Sequence, residues 1–142
     1  MELAKEVKMR GISLLLVGIA IASCTTAAQQ PVRTAKSQQQ FERLLAGKVA
    51  GPPQSCLPSY NSNNMVVIDP STVAFKVGTR RVYVNHMQGG CTNLGGGYAL
   101  VTHGFGGQGL CRGDIAQVVD IRNHFAIGSC AFGDFIPYTK AG

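Results

Sequence analysis

The chain has 142 residues, a net charge of +6 and 18 glycines, but no tryptophan. This length favours a single domain. The hydrophobic share of 45% is too high for a wholly disordered chain. The glycines follow no three-residue period, which excludes a collagen-like fold. Charged residues make up only 14% of the chain, against roughly 25% in ordinary soluble proteins.

The first 23 residues have the pattern of a secretory leader. Basic residues precede an uncharged aliphatic segment at 11–22, and this order is typical of a signal peptide. The segment is too short for a membrane-spanning helix, which needs about 20 apolar residues. It ends in Ile21-Ala22-Ser23-Cys24, which resembles the lipobox of bacterial lipoproteins. The resemblance implies cleavage before Cys24 and a diacylglyceryl group on its sulfur.

This interpretation predicts a cell-envelope protein that faces the periplasm and contacts the membrane through a lipid anchor. Because Thr25 rather than Asp follows the cysteine, the resemblance to lipoproteins favours the outer over the inner membrane. The alternative is an ordinary cleaved signal peptide, for which Thr26-Ala27-Ala28 is a compatible cleavage region. Residues 24–40 are rich in Thr, Ala, Gln, Ser and Pro, which predicts a flexible tether. The folded domain is then expected at 41–142.

Four more cysteines follow the leader: Cys56, Cys91, Cys111 and Cys130. An even number in a small exported domain indicates two disulfides, and the sequence does not choose among the three pairings. We expect Cys91–Cys111, which would bracket a glycine-rich stretch, and Cys56–Cys130, which would join the start of the domain to its end. Since no CxxC motif is present, neither a zinc site nor a thioredoxin-like redox pair is expected.

Hydrophobic periodicity predicts one helix and a meander of strands. Phe41, Leu44 and Leu45 have the i, i+3, i+4 spacing of one helical face, which predicts a short helix at 41–46. Three strand-like runs follow, at 65–68, 72–77 and 80–87. The last two alternate apolar and polar residues, and the turn residues between the runs are typical of antiparallel hairpins.

Further strands are predicted at 98–103, 114–121, 124–130 and 132–138. The last is expected at a sheet edge, because Pro137 has no N–H group to donate. Six to seven short strands, tight turns and one short N-terminal helix predict a mainly β domain. The expected architecture is a small antiparallel barrel or sandwich.

The sequence contains no strong catalytic or cofactor motif, so no catalytic residue and no cofactor are predicted. The stretch 104–109 fits GxGxxG, but no βαβ unit surrounds it, and turns with positive φ account for its glycines. His86, His103 and His124 lie on three different predicted strands, so no metal site is predicted.

One candidate ligand patch is predicted where Arg112 and Asp114 meet neighbouring loops, together with His103 and Tyr98. The alternative for the stretch Cys111–Asp114 is a salt-bridged turn. Cations are spread along the chain without a basic stripe or interleaved aromatic residues. Nucleic acid is therefore not an expected partner.

Several motifs resemble a family of small exported proteins of unknown function from alphaproteobacteria. These are Ala50-Gly51-Pro52-Pro53 before Cys56, Tyr83-Val84-Asn85, Gly97-Tyr98-Ala99-Leu100-Val101-Thr102, Cys111-Arg112-Gly113-Asp114, and Gly128-Ser129-Cys130 before Gly133-Asp134-Phe135. The resemblance covers about residues 47–138 and supplies no catalytic residue.

The predicted function is a binding or structural role in the envelope, in contact with another envelope protein or an envelope polymer. The alternative is a small periplasmic enzyme or metal-binding protein. Such a protein would use His103, Asp114 or the glycine-rich loops.

Overall fold

The computed structural model of the protein describes residues 33–91, 93–103 and 109–142. The predicted signal peptide, Cys24 and the first part of the predicted tether lie outside these residues. The described part of the chain contains no helix that is both long and apolar enough to cross a bilayer.

One α-helix, one three-residue 3-10 helix (Ser59–Asn61) and ten strands make up the regular structure of the described residues. The α-helix and the strands are numbered in chain order. They are α1 (Ala35–Leu45), β1 (Lys48–Ala50), β2 (Cys56–Pro58), β3 (Met65–Asp69), β4 (Thr72–Val77), β5 (Arg81–His86), β6 (Ala99–His103), β7 (Gly109–Cys111), β8 (Ile115–Asp120), β9 (Phe125–Ala131) and β10 (Phe135–Lys140). The prediction of a mainly β domain with one N-terminal helix is confirmed.

The strands pair antiparallel in three sheets. The central sheet has five strands in the order β1-β10-β5-β4-β3, a second sheet has the order β6-β8-β9, and β2 pairs with β7. These described sheets do not close into a barrel. Ten strands form where six to seven were predicted, because β1, β2 and β7 have only three residues each and carry no recognisable alternation.

The central sheet is covered on both faces. Phe75 pairs with Tyr83 across β4 and β5, and both face a core shared with the second sheet. Ala74 pairs with Val84 on the opposite face, which packs against α1 through Phe41, Leu44 and Leu45. The predicted alternation of 72–77 and 80–87 is therefore correct, and both of its faces are buried. Three aromatic rings, those of Phe75, Phe132 and Phe135, pack at the centre of the larger core.

Helix α1 begins at Ala35 rather than at Phe41. The hydroxyl of Thr34 accepts a hydrogen bond from the backbone N–H of Ser37 at 3.2 Å. This cap satisfies one of the free N–H groups of the first turn. Part of the predicted tether, 35–40, is thus helical. The apolar residues Phe41, Leu44 and Leu45 identified only the turns of α1 that contact the sheet.

Strand β10 lies between β1 and β5, so the prediction of an edge strand stopped by Pro137 is wrong. The carbonyl of Pro137 accepts a hydrogen bond from the N–H of Gly51 at 2.7 Å. The proline nitrogen faces the same side as this carbonyl. Strand β1 ends at Ala50, so the missing donor faces Gly51, just beyond the end of that strand.

The disulfides join Cys56 to Cys111 and Cys91 to Cys130. The number of disulfides is confirmed, but the expected pairing of Cys91 with Cys111 and of Cys56 with Cys130 is wrong. Strands β2 and β7 place Cys56 directly opposite Cys111. A two-way backbone bridge between Gln88 and Ala131 brings the segment after β5 beside the end of β9, where Cys130 lies.

Candidate functional site

The four residues of the predicted ligand patch do not come together. His103 pairs with Ile115, next to Asp114, at one end of β6. Tyr98 lies just before the other end of β6. At roughly 3.3 Å per residue, about 16 Å of extended backbone separates Tyr98 from His103.

The stretch Cys111–Asp114 is a turn, although its two charges do not pair with each other. Asp114 is buried, and its carboxylate accepts a hydrogen bond from the N–H of Cys111 at 2.7 Å. Arg112 instead forms an exposed ion pair with Asp134 at 3.3 Å. The carboxylate of Asp114 is therefore engaged by the backbone of its own turn.

The three histidines lie apart, and His124 precedes β9 instead of belonging to a strand as the sequence predicted. His86 ends β5, His103 ends β6, and His124 lies in the turn between β8 and β9 with a φ of 58°. In the described part of the chain, no three His, Cys, Asp or Glu side chains are arranged to hold a metal ion.

A buried polar cluster joins the start of α1 to the turn between β3 and β4. The Nε of Arg33 donates to the carboxylate of Asp69 at 2.7 Å, and a second guanidinium nitrogen donates to the Thr72 hydroxyl at 3.1 Å. The guanidinium also lies 4.2 Å from the centre of the Phe41 ring.

His86 adjoins this cluster, with its Nδ1 3.4 Å from the hydroxyl of Thr72. Burial and the positive charge of Arg33 lower the pKa of His86, whereas Asp69 opposes the shift. Thr72 is fully buried and Asp69 nearly so. The geometry therefore fits a structural link more closely than a ligand site.

A surface cleft of about 260 Å³ lies beside Tyr98. It is lined by Gly96, Gly97, Tyr98, Asp120, Ile121 and Arg122. The carboxylate of Asp120 accepts hydrogen bonds from the N–H of Arg122 at 2.8 Å and from the side chain of Asn123 at 2.9 Å. These bonds lower the pKa of Asp120. Most of the capacity of the Asp120 carboxylate to accept hydrogen bonds is therefore used within its own turn.

The strongest concentration of charge lies at one end of the central sheet. This end of the sheet contains the turn between β4 and β5, the end of β10 and the start of β1. Strand β1 follows the C-terminus of α1 in the chain. We define the basic end as the five cations located there: Lys48, Lys76, Arg80, Arg81 and Lys140.

Hydrogen bonds and strand register bring these cations together. Lys48 lies directly opposite Lys140, and the Lys140 N–H donates to the Arg80 carbonyl at 2.9 Å. Arg81 is paired with Thr139, the neighbour of Lys140. The Lys48 ammonium donates to the Leu44 carbonyl at 2.8 Å, which places the last turn of α1 at the same end. Directly opposed like charges on a sheet destabilise it.

Four of the five side-chain carboxylates of the described residues lie away from the basic end, and Glu42, in the last turn of α1, is the exception. Asp69 is in the turn at the far end of β4, and Asp134 precedes β10 at that same far end. Asp114 and Asp120 flank and end β8 in another sheet, and Glu42 accepts a hydrogen bond from Gln38 one turn earlier in α1. Within the described ranges, no ion pair neutralises a cation of the basic end.

Sequence reasoning missed this surface because its members come from three distant parts of the chain, at 48, 76–81 and 140. No segment is a basic run, and only the register of β1, β10 and β5 makes the charges neighbours. A cleft of about 380 Å³ adjoins them, lined by Asn64, Met65, Val66, Lys76 and Gly78.

Comparisons with protein-family models, with curated proteins and with solved structures find no match for this chain. The resemblance to small exported proteins of alphaproteobacteria stays a prediction.

Proposed function

We propose that the protein is a lipid-anchored module of the bacterial cell envelope that binds another envelope component. The observation that carries this proposal is the pair of disulfides, Cys56–Cys111 and Cys91–Cys130. Stable disulfides of this kind are typical of compartments outside the cytosol. A leader with a lipobox-like end is a route to such a compartment.

The disulfides also single out Cys24. The chain has five cysteines, and the four that follow Cys24 pair with one another. Cys24 is therefore the one cysteine whose thiol remains for acylation. Two or more acyl chains hold a protein stably on a bilayer, at about 0.8 kcal/mol for each buried methylene.

Binding rather than catalysis is the role that the surface supports. Four of the five cations of the basic end, all except Lys48, are exposed to solvent or to a partner. Asp114 of the predicted patch and Asp120 of the Tyr98 cleft are held by backbone N–H groups of their turns. An exposed set of like charges is suited to attracting an anionic partner.

The proposal is tested by the intact mass of the full chain from a bacterial host that processes lipoproteins, alkylated with and without reduction. We expect a mature protein that begins at Cys24, carries the mass of its acyl chains, and has four thiols that react only after reduction. Cys24→Ala should lack the acyl mass and leave the membrane fraction. The matched cysteine control, Cys56→Ala with Cys111→Ala, should keep both the acyl mass and the membrane association.

Two results would overturn the proposal. A wild-type protein without lipid mass would exclude the anchor, and thiols that react before reduction would exclude an oxidising compartment. Stoichiometric metal in the purified protein would instead favour a metal-binding function.

A further inference from the structure

We propose that the basic end is the surface by which the domain docks onto anionic phospholipid headgroups. This inference rests on the proposed lipid anchor for its choice of partner. The site consists of Lys48, Lys76, Arg80, Arg81 and Lys140, and the ligand chemistry is the phosphate of a membrane surface.

The first argument is charge. Each Lys or Arg close to an anionic bilayer strengthens binding by about fivefold. Lys76, Arg80 and Lys140 are exposed, and none of the described carboxylates pairs with them. Several cations acting together would give an affinity that one surface lysine does not.

The second argument is the opposition of Lys48 and Lys140 across β1 and β10. Like charges on directly opposed residues of a sheet destabilise it, and no described carboxylate forms an ion pair with either lysine. The Leu44 carbonyl accepts one hydrogen bond from Lys48, but a neutral carbonyl does not cancel the charge. A phosphate group that contacts both lysine side chains on the surface of the sheet would reduce the repulsion.

The third argument is the length of chain between the proposed anchor at Cys24 and the folded domain. Helix α1 runs from Ala35, two residues after the Arg33 that is bound to Asp69 at one end of the sheet, to Leu45 at the basic end. Its 11 residues span about 16 Å at 1.5 Å per residue. Cys24 precedes Arg33 by nine positions, and nine residues extend to at most about 30 Å. An anchor at Cys24 therefore allows the basic end to reach the same bilayer.

The surroundings favour a lipid surface over a nucleic acid. Proteins that bind single strands present aromatic rings on which bases stack. The aromatic residues nearest the basic end, Tyr83 and Tyr138, are buried and half-buried in the two cores. By contrast, Val49 is 65% exposed and lies on the opposite face of β1 from Lys48, the face that it shares with Thr139 and Arg81. An exposed apolar side chain at a basic surface suits the boundary between headgroups and acyl chains.

The test compares full chains that all carry Cys24→Ala, so that no acyl chain contributes to binding. One variant adds Lys76→Gln and Lys140→Gln. The matched control adds Arg112→Gln and Arg122→Gln, which remove the same net charge from other surfaces. Binding is measured by co-sedimentation with vesicles of equal parts phosphatidylglycerol and phosphatidylcholine, and with vesicles of phosphatidylcholine alone.

We expect Lys76→Gln with Lys140→Gln to weaken binding to the anionic vesicles by about 30-fold. The control pair should weaken it by no more than about threefold at 0.1 M salt, where the screening length is about 10 Å. Lys76→Gln with Arg80→Gln provides a second basic-end variant, and thermal unfolding shows that each protein is folded.

Three outcomes would overturn the inference. Equal losses in the basic-end and control pairs would show a general effect of net charge, and equal binding to neutral vesicles would show an apolar interaction. Tighter binding to RNA or to an anionic polysaccharide than to the vesicles would assign the surface to that polymer. Because every chain in this test lacks the acyl group, failure here leaves the lipid anchor to be judged by the mass measurement alone.

Discussion

The side chain of Asn85 forms a two-way hydrogen bond with the backbone of Gly133. Its Oδ1 accepts from the Gly133 N–H at 3.0 Å, and its Nδ2 donates to the Gly133 carbonyl at 2.8 Å. Asn85 is fully buried. A Cβ on residue 133 would meet the carbonyl oxygen of His86, so only glycine fits here. The pair fixes the chain just before β10 enters the central sheet.

We therefore expect Asn85→Ala to lower the free energy of unfolding by about 3 kcal/mol. The substitution leaves a buried N–H and a buried carbonyl without partners. Urea denaturation of the full chain measures the loss. The matched control is Asn123→Ala, which removes an exposed asparagine that bonds to Asp120, and it should cost less than about 1 kcal/mol. Equal losses would show that the bond to Gly133 is not a special stabilising contact.

Asn85 also shows what alternation in the sequence does not reveal. The pattern of 80–87 correctly placed Asn85 on the same face as Tyr83. The pattern did not show that this face is buried. A sheet that is covered on both faces has no solvent-exposed polar face from which the buried face could be distinguished. The burial of a polar residue depended on Gly133, which lies 48 positions away.

Strands were predicted from the sequence where they have five or more residues. Periodicity identifies β3, β4 and β5 because each is long enough to repeat its pattern. The three-residue strands β2 and β7 are too short to do so, and their pairing sets Cys56 opposite Cys111. The wrong expectation for the disulfides follows directly from these two missing strands.

The basic end was not predictable for a similar reason. A run of basic residues is visible in a sequence, but a register between distant strands is not. Lys48 and Lys140 are 92 positions apart in number and directly opposite in the sheet. For the predicted ligand patch, nearness in sequence was misleading instead. His103 and Tyr98 are near in sequence but lie at the two ends of one strand.

The disulfides should differ in how easily they are reduced. Cys91 is fully buried and Cys130 nearly so, whereas Cys56 is exposed. Reduction requires attack on a sulfur, so access controls the rate. We expect mild reductant to open Cys56–Cys111 first, as shown by alkylation of the native protein and peptide mapping. Earlier alkylation of Cys91 or Cys130 would contradict this order.

Loss of the buried disulfide should destabilise the domain strongly. Cys91–Cys130 closes a loop with a sequence separation of 39, for which chain entropy gives about 4 kcal/mol. Cys91→Ala with Cys130→Ala is therefore expected to lower the free energy of unfolding by about that amount, measured by urea denaturation. The control compares the wild type with this variant after full reduction of both proteins. The difference in their free energy of unfolding should then largely disappear. A persistent difference would indicate lost packing instead of lost crosslinking.

The two ion pairs should contribute very differently to stability. The Arg33 and Asp69 side chains are 15% and 6% exposed, whereas those of Arg112 and Asp134 are 57% and 41% exposed. Arg33→Ala leaves a buried carboxylate without its partner, which costs about 3 kcal/mol or more. Arg112→Ala removes a solvent-exposed pair and should cost less than about 1 kcal/mol.

Hydrogen exchange adds a local measurement to this comparison. Arg33 joins Asp69, Thr72 and the ring of Phe41 at the start of α1. In Arg33→Ala, the amides of α1 should exchange faster than in the wild type, while Arg112→Ala should leave them unchanged. Equal effects of the two substitutions on stability would show that burial does not distinguish the pairs.

Stability should fall as the pH decreases below neutrality, in part because of His86. Burial and the charge of Arg33 lower the pKa of His86 below its ordinary value of 6.5, and Asp69 opposes them. The unfolded chain therefore binds a proton at a higher pH than the folded protein. Wherever the unfolded state binds more protons, the free energy of unfolding rises with pH. The contribution is present above pH 6.5 and is lost as the pH falls toward the folded pKa.

His86→Gln removes this titration. We expect the wild type to lose more stability than His86→Gln between about pH 7 and about pH 5, measured by urea denaturation at each pH. Between about pH 7 and 8 the imidazole is largely neutral in both states, so the two curves should run parallel there and serve as the internal control. Curves that stay parallel down to about pH 5 would show that His86 keeps its unfolded pKa in the folded protein, despite its contact with Thr72 and its position beside Arg33.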